Sequence, residues 1–221
     1  MIARISGFFL YIFSELVFRT CRFNILGYDE EVETILQAEP VILTSWHGMT
    51  MMVAAFIRMK FDVTTFTVIT PDDYRGDVLG EFGRHLGVDA IAMNLDNDST
   101  MGIGRKLVEL IRQISSGKNF IIHPDGPAGP AYKVKPGLSF IAKKTGTRIL
   151  PMGCYCRNAY HIPRWDRYTL PLPFSKVHIQ LGPLMTVPDD LEDLSDYNRQ
   201  LEDILNKLTF QAAANYYELD S

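Results

Sequence analysis

His123-Pro124-Asp125-Gly126-Pro127-Ala128-Gly129-Pro130, continuing to Lys133-Val134-Lys135-Pro136-Gly137, follows an apolar run, Asn119-Phe120-Ile121-Ile122, that reads as a buried strand. Beyond it, Leu138-Ser139-Phe140-Ile141-Ala142-Lys143-Lys144 permits a helix. Proline removes backbone donors and fixes φ, and glycine breaks regular structure, so the residues between form an irregular, stiff loop. A stiff loop at a strand end, carrying a carboxylate, is where an α/β protein normally keeps its chemistry. Composition alone also allows a Pro-rich surface turn. A second loop in an equivalent place, Ser45-Trp46-His47-Gly48, favours the first reading.

Working outward, strand and helix alternate from residue 41. Val41-Ile42-Leu43-Thr44 is a short apolar strand, residues 48–59 are helix-permissive, and 63–69 form a Thr/Val-rich strand. A helix over 78–86 and a strand over 88–92 follow. Ile103, Leu107, Leu110, Ile111 and Ile114 fall at helical spacing, and Ser116-Gly117 ends that helix. After the loop come strands over 148–155 and 177–181, then a C-terminal amphipathic helix marked by Tyr197, Leu201, Ile204, Leu205 and Leu208. Such alternation predicts a single α/β domain with a largely parallel or mixed central sheet flanked by helices. Loops after parallel strands share one edge. Ser45-Trp46-His47, Thr70-Pro71-Asp72-Asp73, Met93-Asn94-Leu95 and His123-Pro124-Asp125 would therefore converge there.

At 221 residues the chain can bury a full core, and 47% apolar with 22% charged residues is a globular balance. A net charge of -4 and the lack of interleaved basic and aromatic residues argue against nucleic acid as a partner. Three cysteines, Cys21, Cys154 and Cys156, make no disulfide framework and no zinc spacing, so no metal is expected. The first eighteen residues hold Phe8-Phe9-Leu10-Tyr11-Ile12-Phe13 and Leu16-Val17-Phe18, interrupted by Glu15 and flanked by Arg4, Arg19 and Arg22. That run is shorter than the ~20 apolar residues of a bilayer span. It reads as an interfacial helix over 1–22, ahead of a domain over 23–221; a core helix covering the sheet is the other reading.

His47 sits after an apolar strand and before Gly48, which lets the backbone bring something close. A histidine there can act as a general base. Asp125 could orient it or bind an acceptor hydroxyl, and Asp72 or Asp73 could reach it from the neighbouring loop. His123 could be an alternate base. No G-x-S-x-G elbow, H-E-x-x-H helix, Walker-A loop or dinucleotide fingerprint is present. What survives is a histidine base beside a glycine-rich loop whose N–H groups could hold an oxyanion.

Taken together, Ser45-Trp46-His47-Gly48, the Asp125-Gly126-Pro127-Ala128-Gly129-Pro130 loop, Lys135-Pro136-Gly137 and Trp165-Asp166-Arg167-Tyr168-Thr169-Leu170-Pro171-Leu172-Pro173-Phe174 resemble the lysophospholipid acyltransferase-like family of bacterial proteins, the DUF374 type. The similarity spans about residues 35–210. That family is similar to the glycerolipid acyltransferase superfamily. The resemblance implies a glycerolipid-acyltransferase-like fold and acyl transfer from an acyl-CoA or acyl carrier protein thioester, with no bound cofactor. His47 matches the histidine of the superfamily's H-x4-D motif, Asp125-Gly126-Pro127 the region of its E-G-T-R motif, and Leu150-Pro151 its V-P motif. Met52 stands where the motif's aspartate would be, so the partner carboxylate must come from elsewhere. Ala128 replaces the E-G-T-R arginine, leaving Lys133 and Lys135 as the loop's cations.

The expectation is an acyltransferase on the cytoplasmic face of a bacterial inner membrane, with a membrane lipid surface and an acyl donor as partners. His47 would be the base, completed by Asp125, Asp72 or Asp73. Trp46, Gly48, Gly126, Pro127, Gly129, Lys133 and Lys135 would line the substrate site, and Trp46 with residues 49–56 could wall an acyl channel. A catalytically silent lipid-binding or scaffold protein, or a lipid hydrolase, are the alternatives.

Overall fold

The computed structural model describes residues 2–93, 100–126 and 128–218. Pro127 and the Asn94-Leu95 part of the expected third loop lie outside them. In chain order the elements are α1 (Ile2–Thr20), β1 (Arg22–Leu26), α2 (Glu30–Ala38), β2 (Val41–Thr44), α3 (Thr50–Lys60), β3 (Phe66–Pro71), α4 (Tyr74–Leu86), β4 (Asp89–Met93) and α5 (Thr100–Ser115). Then follow β5 (Asn119–Ile121), α6 (Gly137–Thr145), β6 (Arg148–Tyr155), β7 (Ala159–His161), β8 (Thr169–Pro171), β9 (Lys176–Leu181) and α7 (Ser195–Glu218).

A seven-stranded sheet runs in the order β1-β9-β6-β2-β5-β3-β4. From β6 to β4 every pairing is parallel, whereas β9 is antiparallel to β6 and carries β1 parallel to itself. The sheet is therefore mixed. Central β2 is buried along its whole length, as expected of a strand covered on both faces. Ile42, Phe66, Phe120, Ile149 and Leu150 are fully buried, and α3 adds Met52, Val53 and Phe56 to the same core.

Some boundaries move for local reasons. Asp62 accepts from the Thr64 amide and caps a 3-10 turn over Val63–Thr65, so β3 begins only at Phe66. Asp73 accepts from the amides of Arg75 and Gly76 and starts α4 at Tyr74, earlier than apolar spacing predicts. Edge strand β1 and the helix α2, whose N-cap is Asp29, come from a stretch with little periodicity. Among the described residues no helix is long and apolar enough to cross a membrane.

Beyond β6 the chain does not turn straight back. Strands β7 and β8 form a separate antiparallel hairpin before β9 returns to the sheet. Because β6 runs parallel to β2, this excursion leaves from the sheet edge at which β2 and β5 also end.

Candidate active site

The site grows from the end of β2. The chain leaves Thr44 and makes a 3-10 turn, His47–Met49, that opens into α3. Two bonds fix the turn: the His47 amide donates to Asp125 Oδ1 at 2.9 Å, and Thr50 Oγ1 lies 2.6 Å from the His47 carbonyl. The His47 imidazole stands against Trp165, His123 and Tyr168, with ring centroids 5.5, 5.4 and 6.3 Å away. Its Nδ1 lies 2.7 Å from Asp166 Oδ2. The carboxylate side chain is completely enclosed while the imidazole is 27% exposed. Nε2 makes no hydrogen bond among the described residues, so the ring is held at one nitrogen and open at the other.

Asp166 is delivered by the loop between β7 and β8. Arg164 pairs with the same carboxylate oxygen at 3.1 Å, and its guanidinium lies 6.0 Å from the Tyr168 ring centre. Oδ1 is buried without a hydrogen-bond partner among the described residues, so the carboxylate depends on His47 and Arg164 for compensation. Two glycines let the loop approach. A β-carbon on Gly48 would collide with the Asp166 carbonyl oxygen, and one on Gly129, where φ is +78°, would come 2.8 Å from the Trp165 ring. Both sequence motifs thus pack on the third.

The structure corrects the expected partner of the base. Asp125 is 1% exposed and faces the backbone: its Oδ1 takes the His47 amide and its Oδ2 the Tyr132 amide, 3.4 Å away. It clasps two loops together rather than orienting the imidazole, and burial pushes its carboxyl above the usual range despite those bonds. Asp72 and Asp73 follow β3, which β5 separates from β2, a displacement of about 10 Å across two strand spacings. Asp73 caps α4 and pairs with Arg75 at 2.6 Å; Asp72 is exposed at the start of that loop. Met52, at the position of the H-x4-D aspartate, is buried in the core.

The expected substrate-binding residues divide. Gly126 fronts the base: a β-carbon there would lie 3.2 Å from His47 Cδ2 and 4.0 Å from Nε2. Lys135 Nζ donates to the Gly126 carbonyl at 3.0 Å and so sits on this loop. Lys133 is instead tied to Glu202 of α7 at 2.6 Å. Trp46 is 1% exposed, edge-on to Tyr132, and with Met52 and Phe56 belongs to the core rather than to a channel wall. The loop amides proposed for an oxyanion are partly used: Gly126 N–H donates to the His123 carbonyl and Gly129 N–H to that of Asp125. Pro127 lies outside the described residues.

His123 is a support rather than a second base. Its Nδ1 lies 2.9 Å from the Ser45 carbonyl and its Nε2 3.0 Å from Thr50 Oγ1. Loss of solvation, then the neighbouring His47, lower its pKa to about 3, so it is neutral and donates from Nδ1. Burial, then the Asp166 charge, raise the Tyr168 phenol to about 12, which keeps it protonated. Asp166, itself paired with Arg164, is the carboxylate in direct contact with His47.

This is a mixed α/β fold, one domain with a mostly parallel sheet between helices. It is shared with the 1-acyl-sn-glycerophosphate (LPA) acyltransferase PlsC from Thermotoga maritima: TM-score 0.56, 19% identity, 93% of this chain and 79% of that one. In sequence the chain is 28% identical, over 201 residues, to an uncharacterized protein of Rickettsia prowazekii (strain Madrid E), covering 90% of this chain and 89% of that protein. No family model matches.

Proposed function

We propose that the protein is an acyltransferase that moves a fatty acyl group from an acyl-CoA or acyl carrier protein thioester to a hydroxyl or amine of a lipid-like acceptor. The observation that carries this is the 2.7 Å contact of His47 Nδ1 with buried Asp166, which leaves Nε2 open beside Gly126. Asp166 accepts from Nδ1–H and fixes the tautomer in which Nε2 has a free lone pair. The acceptor's O–H or N–H proton passes to Nε2 as its heteroatom bonds to the thioester carbonyl carbon. The tetrahedral intermediate then collapses, the C–S bond breaks, and His47 returns the proton to the thiolate. Lys135, bonded to the Gly126 carbonyl on the loop facing the base, would offset the developing oxyanion in this reading.

The PlsC-like fold supports this assignment, and so does the resemblance to the DUF374 type. The lost H-x4-D aspartate, which suggested an inert relative, has a replacement in Asp166. We place the protein at the cytoplasmic face of a bacterial inner membrane, held peripherally by α1. The test is His47→Ala, assayed for transfer of a labelled acyl chain from thioester into lipid. Activity within about threefold of wild type removes His47 as the base, whose contribution is typically 10²–10⁴-fold. Free fatty acid released without acceptor would mark a hydrolase instead.

A further inference from the structure

Helix α1 carries apolar residues on two sides, with Val17 in the core and Phe13 and Phe18 packed against it. Gly7, Ser14, Glu15 and Val17 are buried against the domain, and Glu15 pairs with Arg58 of α3 at 2.9 Å. Ile2, Ile5, Phe9, Ile12 and Leu16 instead form one stripe, at alternating steps of three and four, 46–69% exposed. Exposed Arg4 stands near one end, and Arg19, exposed but paired with Glu15 at 3.0 Å, near the other. An apolar face outward with cations at its ends matches the boundary of an anionic bilayer.

The stripe continues onto a second element. Just after β8, Leu172 is 46% and Phe174 78% exposed. Phe174 holds a left-handed φ of 66°, a conformation that costs a residue with a bulky side chain. This tip is fastened to the last turn of α1: Phe174 N–H donates to Thr20 Oγ1 at 3.2 Å, and Cys21 Sγ lies 3.2 Å from the Leu172 carbonyl. Its other end leads through β8 to the loop that carries Arg164 and Asp166.

We propose that Leu172 and Phe174 are a second membrane-docking element, forming with the α1 stripe one surface for an anionic lipid bilayer, and that this contact braces the hairpin that holds Asp166 on His47. The brace matters for turnover only if the acyltransferase reading holds; the docking does not depend on it.

The test uses the full-length chain and vesicles of phosphatidylglycerol and phosphatidylethanolamine. Asn accepts a left-handed φ better than Phe, so Phe174→Asn should fold at least as stably as wild type. Its vesicle partitioning should nevertheless fall roughly 10- to 100-fold, the effect of withdrawing one large apolar side chain from lipid. Leu172→Ser should act in the same direction. Phe174→Trp should retain binding and gain fluorescence quenching by brominated acyl chains. Turnover of Phe174→Asn should persist on detergent-dispersed substrate and drop on vesicles, while His47→Ala should bind vesicles normally and turn nothing over. Wild-type binding by Phe174→Asn, no added quenching at position 174, or a dimer in solution that covers the stripe would each overturn the docking. The first two would leave the acyltransferase reading standing.

Discussion

Replacing Asp166 by Asn keeps the side chain's size, removes its charge, and puts an amide where the carboxylate meets His47 Nδ1. The bond lost is a buried, charge-assisted one of 2.7 Å. Hydrogen bonds to charged groups contribute about 1.5–3 kcal/mol, which sets the lower end of the damage. A worse consequence follows if the amide N–H turns toward Nδ1. Nδ1 then becomes the acceptor, the proton moves to Nε2, and the ring cannot take a proton from substrate. The loss would then approach the whole contribution of a general base, about 10²–10⁴ in turnover, or about 3–5 kcal/mol of barrier. Arg164 sits at the surface and can be rehydrated, so the fold should survive. Single-turnover acyl transfer from a labelled thioester to detergent-dispersed acceptor reads the chemical step. The Nδ1 proton resonance, expected far downfield in the wild type from the 2.7 Å contact, should disappear. A folded Asp166→Asn protein with turnover within about threefold of wild type would refute the dyad.

Gly126→Ala places a methyl group against the open side of the base, 3.2 Å from Cδ2. Acyl transfer should fall about tenfold while thermal unfolding is unchanged, because a small displacement at the reacting centre is costly. Asp125→Ala strips the acceptor from the part-buried His47 and Tyr132 amides and should cost about 1–3 kcal/mol of stability in chemical denaturation. His123 makes stability depend on acid. Its folded pKa, about 3, lies below the unfolded value of 6.5, so between those values only the unfolded chain takes up the proton. Stability is full above that window and falls as the pH drops through it, by up to about 1.4 kcal/mol per pH unit. In His123→Asn this component of the slope should vanish; equal slopes in the two proteins would count against it.

The sheet was largely legible because its strands are short apolar runs between turn residues. Residues 41–44 and 148–155 are strands with the bounds their composition suggests. Placing His47 and the Pro/Gly loop at one edge followed from strand direction alone. The partner of His47 did not. β7 and β8 have three residues each and no alternation of apolar side chains, so nothing local announces the hairpin. A signal existed in the direction of β6: a strand parallel to β2 must deliver its following loop to the same edge, and Trp165-Asp166-Arg167 lies in that loop. Asp125 misled for a physical reason, since a carboxylate before glycine in a loop can serve the backbone as readily as a side chain.

His47 and Asp166 are 119 positions apart in the chain. At about 5–20 residues per second, a ribosome releases the base roughly 6–24 seconds before its counterion. Until β6 has joined the sheet and the hairpin has folded back over Gly48, the imidazole has no anion to set its tautomer. A nascent chain therefore carries the imidazole without the carboxylate that fixes its tautomer, and under the proposed function the site could not act on a thioester before the hairpin closes.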